Sequence, residues 1–196
     1  SELPPLFDEK AIGEKYPTNY FQSMNTVLVQ ECGRYNKLLR IIRTTLNNVE
    51  NCIKGLIIMT KETESIINAL EFNQVPTVWE TAAWPSIMPL ATWIVDLHRR
   101  IAFIRDWVEN GTPAVVWFSG FSYPQAFLTG TLQNYSRATK IAIDELAFDF
   151  STESPKEGHA ATISGLFLQC ASWAAAHGLV AARPGVLFEE MPNITL

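Results

Sequence analysis

The first third of the sequence carries an apolar stripe that is too long for any regular element except a helix. Two interleaved series of apolar residues recur at intervals of seven: Leu28, Tyr35, Ile42, Val49 and Leu56, and beside them Cys32, Leu39, Leu46 and Ile53. Residues seven apart lie on one face of an α-helix because two turns take about seven residues. The stripe therefore predicts one helix over residues 23–54, with Ser23 as its N-cap and Gly55 just past its C-terminal end.

Four basic residues of this helix fall largely off the apolar stripe: Arg34, Lys37, Arg40 and Arg43. A solvated helix face is the ordinary interpretation of such a pattern. The functional alternative is a basic surface for an acidic partner. The net charge of −5 favours the solvated face.

Further helical periodicity follows downstream. A short helix is expected over residues 60–70 and a second long one over residues 86–110, with Pro89 tolerated in its first turn. In the latter, apolar residues alternate in spacing between three and four: Leu90, Ile94, Leu97, Ile101, Ile104 and Val108. A third helix is predicted over residues 124–139, starting with Pro124.

After Lys140 the period changes from helical to alternating. Residues 146–150, 162–170, 186–188 and 194–196 are strand candidates, and residues 114–118 form an earlier strand-like run. Helices first and strands second predict an α+β fold, with a helical part over residues 23–140 and a small β-barrel-like part over residues 141–196. Residues 1–22 are interpreted as a linker from a longer chain, because Pro4, Pro5 and Pro17 interrupt any helix there.

Composition excludes several classes of protein. Apolar residues make up 47% and charged residues 18%, which excludes an intrinsically disordered chain. The negative net charge makes nucleic acid an unfavourable partner, and no apolar run is long enough to span a membrane. The three cysteines Cys32, Cys52 and Cys170 are odd in number and sparse, which is typical of a reducing compartment.

The sequence contains no recognisable catalytic motif. It lacks the phosphate-binding loop of nucleotide triphosphatases, the dinucleotide-binding glycine pattern and the nucleophile elbow. Its histidines, His98, His159 and His177, form no set of three or four ligands with Cys, Asp or Glu residues at helical metal spacing. The carboxylate pairs Asp144/Glu145 and Glu189/Glu190 are adjacent in sequence, and adjacent side chains usually point apart. We therefore expect no catalytic, cofactor-binding or metal-binding residue, and high apolar content without such residues favours a docking or regulatory module.

Three stretches carry longer and more specific patterns. The first is YP at 16–17, then SMNTVLVQE at 23–31 with RYNKLL at 34–39. The second is GTP at 111–113, then WFSGF at 117–121, PQAFLTG at 124–130 and LQNY at 132–135. The third is VLFEEMP at 186–192. Together they resemble the C-terminal domain of a dynein heavy chain of the axonemal type, and they bracket nearly the whole chain.

The resemblance implies a microtubule motor as the parent, with a ring of six AAA+ modules that binds ATP and Mg²⁺. Its C-terminal domain would be a non-catalytic helical part followed by a small β-barrel, lying across the ring and tuning force and processivity. The partners implied are the AAA+ ring of the same heavy chain and, for the parent, microtubules and dynein intermediate and light chains. The compartment implied is the axoneme of a cilium or flagellum. No nucleic acid, membrane or cofactor of this fragment is expected.

Two surfaces are candidates for docking on the ring. One is the basic face of the first long helix, at Arg34, Lys37, Arg40 and Arg43, and the other is the predicted loop that carries Phe121 and Tyr123. Two alternatives stay open: a free-standing enzyme or small-molecule-binding domain with a tryptophan-lined pocket, and direct microtubule contact through the basic face.

Overall fold

The computed structural model describes residues 3–152, 161–174, 176–181 and 190–196. The chain divides into two compact units. Unit 1 comprises Ser1–Pro17 and Leu28–Arg105, and unit 2 comprises Thr18–Val27 and Asp106–Leu196.

The described elements are mostly helical. The helices are α1 (Glu9–Lys15), α2 (Ser23–Ile53), α3 (Lys61–Glu71), α4 (Thr77–Glu80), α5 (Leu90–Asn110) and α6 (Pro124–Thr139). The strands are β1 (Val115–Trp117), β2 (Thr162–Ser164), β3 (Ala171–Ala174), β4 (Gly178–Ala181) and β5 (Ile194–Thr195). Short 3-10 turns lie at Phe118–Gly120 and Ile143–Glu145. The α+β class is confirmed.

The long first helix is confirmed, and its C-terminal end has a specific cap. Gly55 adopts a φ of +70°, which a residue with a Cβ rarely adopts. This turn lets the Gly55 N–H donate to the Cys52 carbonyl at 3.0 Å and the Leu56 N–H donate to the Asn51 carbonyl at 2.9 Å. These two bonds define a Schellman motif, which satisfies carbonyls that would otherwise have no partner at the helix end.

The core of unit 1 is built on three buried tryptophans. The rings of Trp84 and Trp93 stack with centroids 5.1 Å apart and an interplanar angle of 8°, and Trp79 stacks on Trp93 at 6.1 Å. Helix α2 touches both ends of the stack, because Tyr35 contacts Trp84 and Thr45 accepts a 2.8 Å hydrogen bond from Trp79 Nε1. The stack thus joins α2, α4 and α5 through side chains.

A buried arginine, Arg100, packs against the Trp84 end of this stack. The Arg100 guanidinium lies 4.2 Å from the Trp84 ring centroid and its Nε donates to Asp96 Oδ2 at 2.7 Å. Both side chains are about nine-tenths buried. The aromatic face and the carboxylate together compensate the desolvation of the cation.

Two predictions about unit 1 are corrected: the start of α5, and the absence of any helix from residues 1–22. Helix α5 begins at Leu90, so Pro89 precedes the helix and does not occupy its first turn. Residues 9–15 form α1 inside the segment that proline content had marked as a linker. Asp8 caps α1 by accepting from the Lys10 and Ala11 N–H groups, and Ile12 is buried.

In unit 2, helix α6 packs on the first turn of α2. A Cβ built on Gly130 would lie 3.1 Å from the Met24 side chain and 3.3 Å from Val27, so the glycine permits this close approach. Ser23 is the first helical residue and not the predicted N-cap. Its hydroxyl donates to Gln133 and accepts from Arg137, so it joins α2 to α6.

The strands of unit 2 form two separate small sheets in the described residues. In the first, β2 lies between β1, to which it is parallel, and β5, to which it is antiparallel. Helix α6 lies on the β1–β2 connection, as parallel neighbours require a long crossover. The second is the β3–β4 hairpin. The sheets are not closed, so the predicted barrel is not supported.

The strand predictions had mixed outcomes. Strand β5 confirms the candidate at residues 194–196, and β1 confirms the run at 114–118. Only Thr162–Ser164 of the candidate at 162–170 is a strand, because Gly165 turns the chain with a φ of +71°. The strand predicted at residues 146–150 is not seen, since these residues have no ladder partner in the part of the chain that the structure describes. The candidate at residues 186–188 lies outside the described residues.

The hydrogen bond that anchors the tryptophan stack is testable. We expect Thr45→Val to destabilise the protein by about 1–3 kcal/mol, because the buried Trp79 N–H loses its acceptor. Urea unfolding followed by tryptophan fluorescence measures the change. The neighbouring Thr44→Val is the matched control at an exposed position of the same helix. Equal effects of the two substitutions would contradict this role of Thr45.

The end of α2 gives a second prediction. Gly55→Ala should lower the free energy of unfolding by about 1–2 kcal/mol, because alanine is strained at positive φ. Gly13→Ala in α1 is the control: a Cβ there would meet nothing within 4 Å, and helix propensity predicts a gain of up to about 1 kcal/mol. Thermal unfolding of the two variants should therefore shift in opposite directions, and a shared direction would refute the cap assignment.

Candidate functional site

Three of the four predicted basic docking residues contact other parts of unit 1. Arg34 pairs with the fully buried Glu31 carboxylate at 2.8 Å. Arg40 pairs with Glu9 at 3.1 Å, and Arg43 donates to the Pro4 carbonyl at 2.5 Å. Lys37 is exposed. The basic face of α2 is therefore largely engaged by the protein's own residues.

The partners of Arg40 and Arg43 belong to the N-terminal clasp, defined here as residues 3–15. Its centre is Phe7, which is 6% exposed. The Asn36 side chain accepts from the Phe7 N–H at 2.8 Å and donates to the Phe7 carbonyl at 2.9 Å. One buried amide on α2 thus satisfies both main-chain groups of one clasp residue, as a neighbouring strand would.

Arg105 of α5 holds the clasp from a second helix. Its guanidinium donates to the Pro5 carbonyl at 3.1 Å and lies 5.1 Å from the Phe7 ring centroid. The ring therefore has a cation on one face, which is a favourable electrostatic contact.

Glu9 follows the part of the clasp that has no regular secondary structure and is the first residue of α1. Its carboxylate accepts from Asn36 at 2.7 Å and from Arg40 at 3.1 Å. These hydrogen bonds, from Asn36 first and Arg40 second, lower the pKa of Glu9 from its ordinary value of 4.5. The carboxylate also lies close to α2, since a Cβ built on Gly33 would be 3.6 Å from Glu9 Oε2.

Of the two residues of the second predicted docking surface, Phe121 is buried and Tyr123 is exposed. Phe121 is 1% exposed and stacks on Phe127 at 5.3 Å, with Trp107 at 5.9 Å. It is a core residue of unit 2, which corrects its expected place in a surface loop. Tyr123 is 50% exposed and stays available as a surface residue.

The largest correction concerns the end of the apolar stripe. Ile53 and Leu56, expected on the buried face of the first helix, are 74% and 70% exposed. The next three residues are also exposed: Ile57 at 43%, Ile58 at 90% and Met59 at 52%. We call these five residues the apolar tip. The sequence signal was the run Leu56 to Met59 directly after the helix-ending glycine, because consecutive side chains of an irregular segment point in different directions.

No group of three or more His, Cys, Asp or Glu side chains in the described residues could hold a metal ion. Burial, with a smaller contribution from Glu31, raises the pKa of the Cys32 thiol to about 12, so this thiol is protonated at neutral pH. No helix in the described ranges is both long and apolar enough to cross a bilayer.

The tryptophan-lined pocket of the alternative interpretation is not seen in the described part of unit 1. Trp79, Trp84 and Trp93 are buried against one another. A groove of about 260 Å³ in unit 2 is lined instead by residues of α6 and its following segment, among them Leu132, Tyr135 and Phe148.

Comparison with known proteins assigns the protein to a class. The family model for the C-terminal domain of the dynein heavy chain matches residues 1–196. The protein belongs to this family.

Its relatives are axonemal heavy chains. It is 45% identical to "Dynein axonemal heavy chain 1" of Rattus norvegicus, with 100% of this chain and 4% of that protein covered. It is 42% identical to "Dynein axonemal heavy chain 12" of Mus musculus, with 99% and 6% covered, and 38% identical to "Dynein axonemal heavy chain 3" of Mus musculus, with 100% and 5% covered. The sequence thus spans only about a twentieth of the length of these relatives.

The lowered pKa of Glu9 predicts a pH dependence for the clasp. A carboxyl group with a depressed folded-state pKa stabilises the protein above its unfolded pKa, and this contribution is lost as pH falls through the folded value. Glu9→Gln should therefore destabilise the protein at pH 7, by less than about 1 kcal/mol because the ion pair is half-exposed. The difference from wild type should shrink as pH falls below 4.5.

Urea unfolding at several pH values measures this difference. Glu14→Gln is the matched control, because Glu14 is an exposed residue of the same helix. A pH-independent difference for Glu9→Gln would show that the substitution acts through something other than charge.

Proposed function

We propose that this protein is a non-catalytic domain that docks on the AAA+ ring of its own dynein heavy chain and regulates the force and run length of the motor. The observation that carries this proposal is the apolar tip. Five large apolar side chains, contiguous apart from Lys54 and Gly55, are exposed at one end of a 31-residue helix. Contiguous exposed apolar surface of this kind is typical of protein–protein contact sites.

The position of the tip suits a docking contact. It lies at the end of α2, whose buried residues Leu28, Leu38 and Leu39 fix the helix in the unit 1 core. The tip runs from the last residue of α2 to the residue before the N-cap of α3, so both of its ends are held by helices, which limits the conformational freedom lost on binding. The family is described as C-terminal, and about 95% of each relative lies outside the matched region. The rest of the same heavy chain is therefore the surface that we propose to cover the tip.

The other docking candidates contribute unequally to this proposal. Lys37 and Tyr123 are exposed and are retained as secondary contacts. Arg40 and Arg43 are engaged by the clasp, Arg34 by Glu31, and Phe121 is buried. The same engagement disfavours direct microtubule contact through the basic face.

The parent context completes the proposal. The relatives carry axonemal names, which supports a place in the axoneme of a cilium or flagellum. We infer a microtubule motor as parent, with ATP and Mg²⁺ bound by its ring and with intermediate and light chains among its partners. Neither a cofactor of this fragment nor a nucleic-acid or membrane partner is part of the proposal.

The test replaces apolar side chains of the tip with charged ones in the full-length heavy chain. Leu56→Glu with Ile58→Glu should change stall force or run length on microtubules while ATP hydrolysis by the ring survives, because two carboxylates cannot be buried in an apolar contact. Both residues are at least 70% exposed, so the isolated domain should unfold at the wild-type urea concentration. Single-molecule motility and steady-state ATPase measure the outcome.

Ile87→Glu is the matched control. Ile87 is 84% exposed in unit 1 but lies outside the tip. Motility that is altered by the tip substitutions and unaltered by Ile87→Glu supports docking through the tip. Unaltered motility for both would reject the tip as the regulatory contact.

A further inference from the structure

We propose that the groove formed by α2 and α5 in unit 1 is a peptide-binding site, occupied in cis by the N-terminal clasp and able to take a peptide of the same pattern in trans. The ligand class is an extended peptide with an aromatic anchor, two consecutive prolines before it and a carboxylate two residues after it. In this protein the pattern is Pro4, Pro5, Phe7 and Glu9. This inference stands independently of the docking proposal above.

The contacts are those by which proteins recognise peptides. Main-chain groups of the clasp supply four hydrogen bonds to side chains of the groove: the Pro4 and Pro5 carbonyls, and the Phe7 N–H and carbonyl. Main-chain bonds of this kind hold an extended segment in register, whereas pockets for its side chains give specificity.

The specificity contacts are an apolar anchor and a charge. Phe7 is buried under the Arg105 guanidinium, and Glu9 accepts from both Asn36 and Arg40. The groove side chains Asn36, Arg40, Arg43 and Arg105 include three cations, which matches a ligand that carries carbonyl oxygens and a carboxylate.

The clasp owes its order to the groove. Helix α1 has seven residues, and an isolated helix of that length is unstable in water. Between Leu3 and Phe7 no secondary structure is assigned. The groove, by contrast, is built on helices of 31 and 21 residues that share the tryptophan core. We therefore expect the groove to be folded without the clasp, and the clasp to become ordered only when it binds the groove.

The experiment is a competition between the clasp and a peptide. A fluorescein-labelled peptide of residues 3–16 is titrated with the whole protein, residues 1–196, and binding is measured by fluorescence anisotropy. In the Phe7→Ala protein the cis segment lacks its anchor, so the peptide should bind measurably. The wild-type protein should bind it at least about tenfold more weakly, because a tethered competitor acts at millimolar effective concentration.

Substitutions in the groove and in the peptide locate the site. Adding Asn36→Ala to the Phe7→Ala protein should abolish binding, whereas adding Asn48→Ala, at an exposed position of the same helix, should leave it unchanged. A peptide with Phe7→Ala should not bind. Equal binding by the Asn36→Ala and Asn48→Ala variants overturns the proposal, and so does the absence of binding by a folded Phe7→Ala protein.

Hydrogen exchange of the unmodified protein tests the same inference without a substitution. The amides of Phe7, Ala11 and Ile12 are held by Asn36 Oδ1, Asp8 Oδ1 and the Asp8 carbonyl. They should exchange through an opening at least about tenfold more frequent than that of the Leu39 amide in α2, because the clasp opens locally. If they exchange only together with Leu39, on global unfolding, the clasp is an inseparable part of the core and the proposal fails.

Discussion

The stacking of Trp84, Trp93 and Trp79 is the interaction on which unit 1 depends. Each ring comes from a different element, and α2 is tied to both ends of the stack through Tyr35 and Thr45. Three rings bury far more apolar surface than the small elements that carry them could bury alone. A four-residue helix and a loop thereby become fixed parts of a helical core. The clasp groove depends on the stack indirectly, since Asn36 and Arg105 are placed by the two helices that it joins.

The four longer helices, α2, α3, α5 and α6, were predictable from the sequence because their determinants are local, whereas the short α1 and α4 were not predicted. The seven-residue repeat, Gly55 and Pro124 place the ends of α2 and α6 to within one residue. Strands were less predictable because their partners are distant. Residues 146–149 do alternate between half-buried Leu146 and Phe148 and exposed Ala147 and Asp149, but Phe150 is 62% exposed and no strand pairs with this segment in the described residues. Alternating apolar and polar residues predict that one side of a segment is buried. A β-strand also needs a neighbouring strand to pair with.

The candidate site shows the same limit. Sequence spacing placed Arg40 and Arg43 off the apolar face correctly, but their partners Glu9 and Pro4 lie about 30 to 40 residues earlier in a segment that prolines had marked as irregular. Prolines in a sequence predict that a segment is not helical, but they do not predict whether that segment packs against the rest of the protein. Phe121 could not be assigned to the core because its contacts, Trp107 and Phe127, come from the helices before and after its loop. The apolar tip could be predicted from the apolar run after Gly55, because consecutive side chains of an irregular segment point in different directions.

The order of the first sheet has a consequence for how the protein is made. Strand β2 pairs with β1 across the whole of α6 and with β5 near residue 194, so no two neighbours in that sheet are joined by a short turn. Closing such long loops is entropically unfavourable until the pairing is complete, and topologies with distant contacts fold slowly. Most of unit 1, by contrast, lies earlier in the sequence, and its helices form from local contacts. We expect nascent polypeptides to hold a folded helical core while the strands of unit 2 are still unpaired, and therefore to need protection from edge-to-edge association during synthesis.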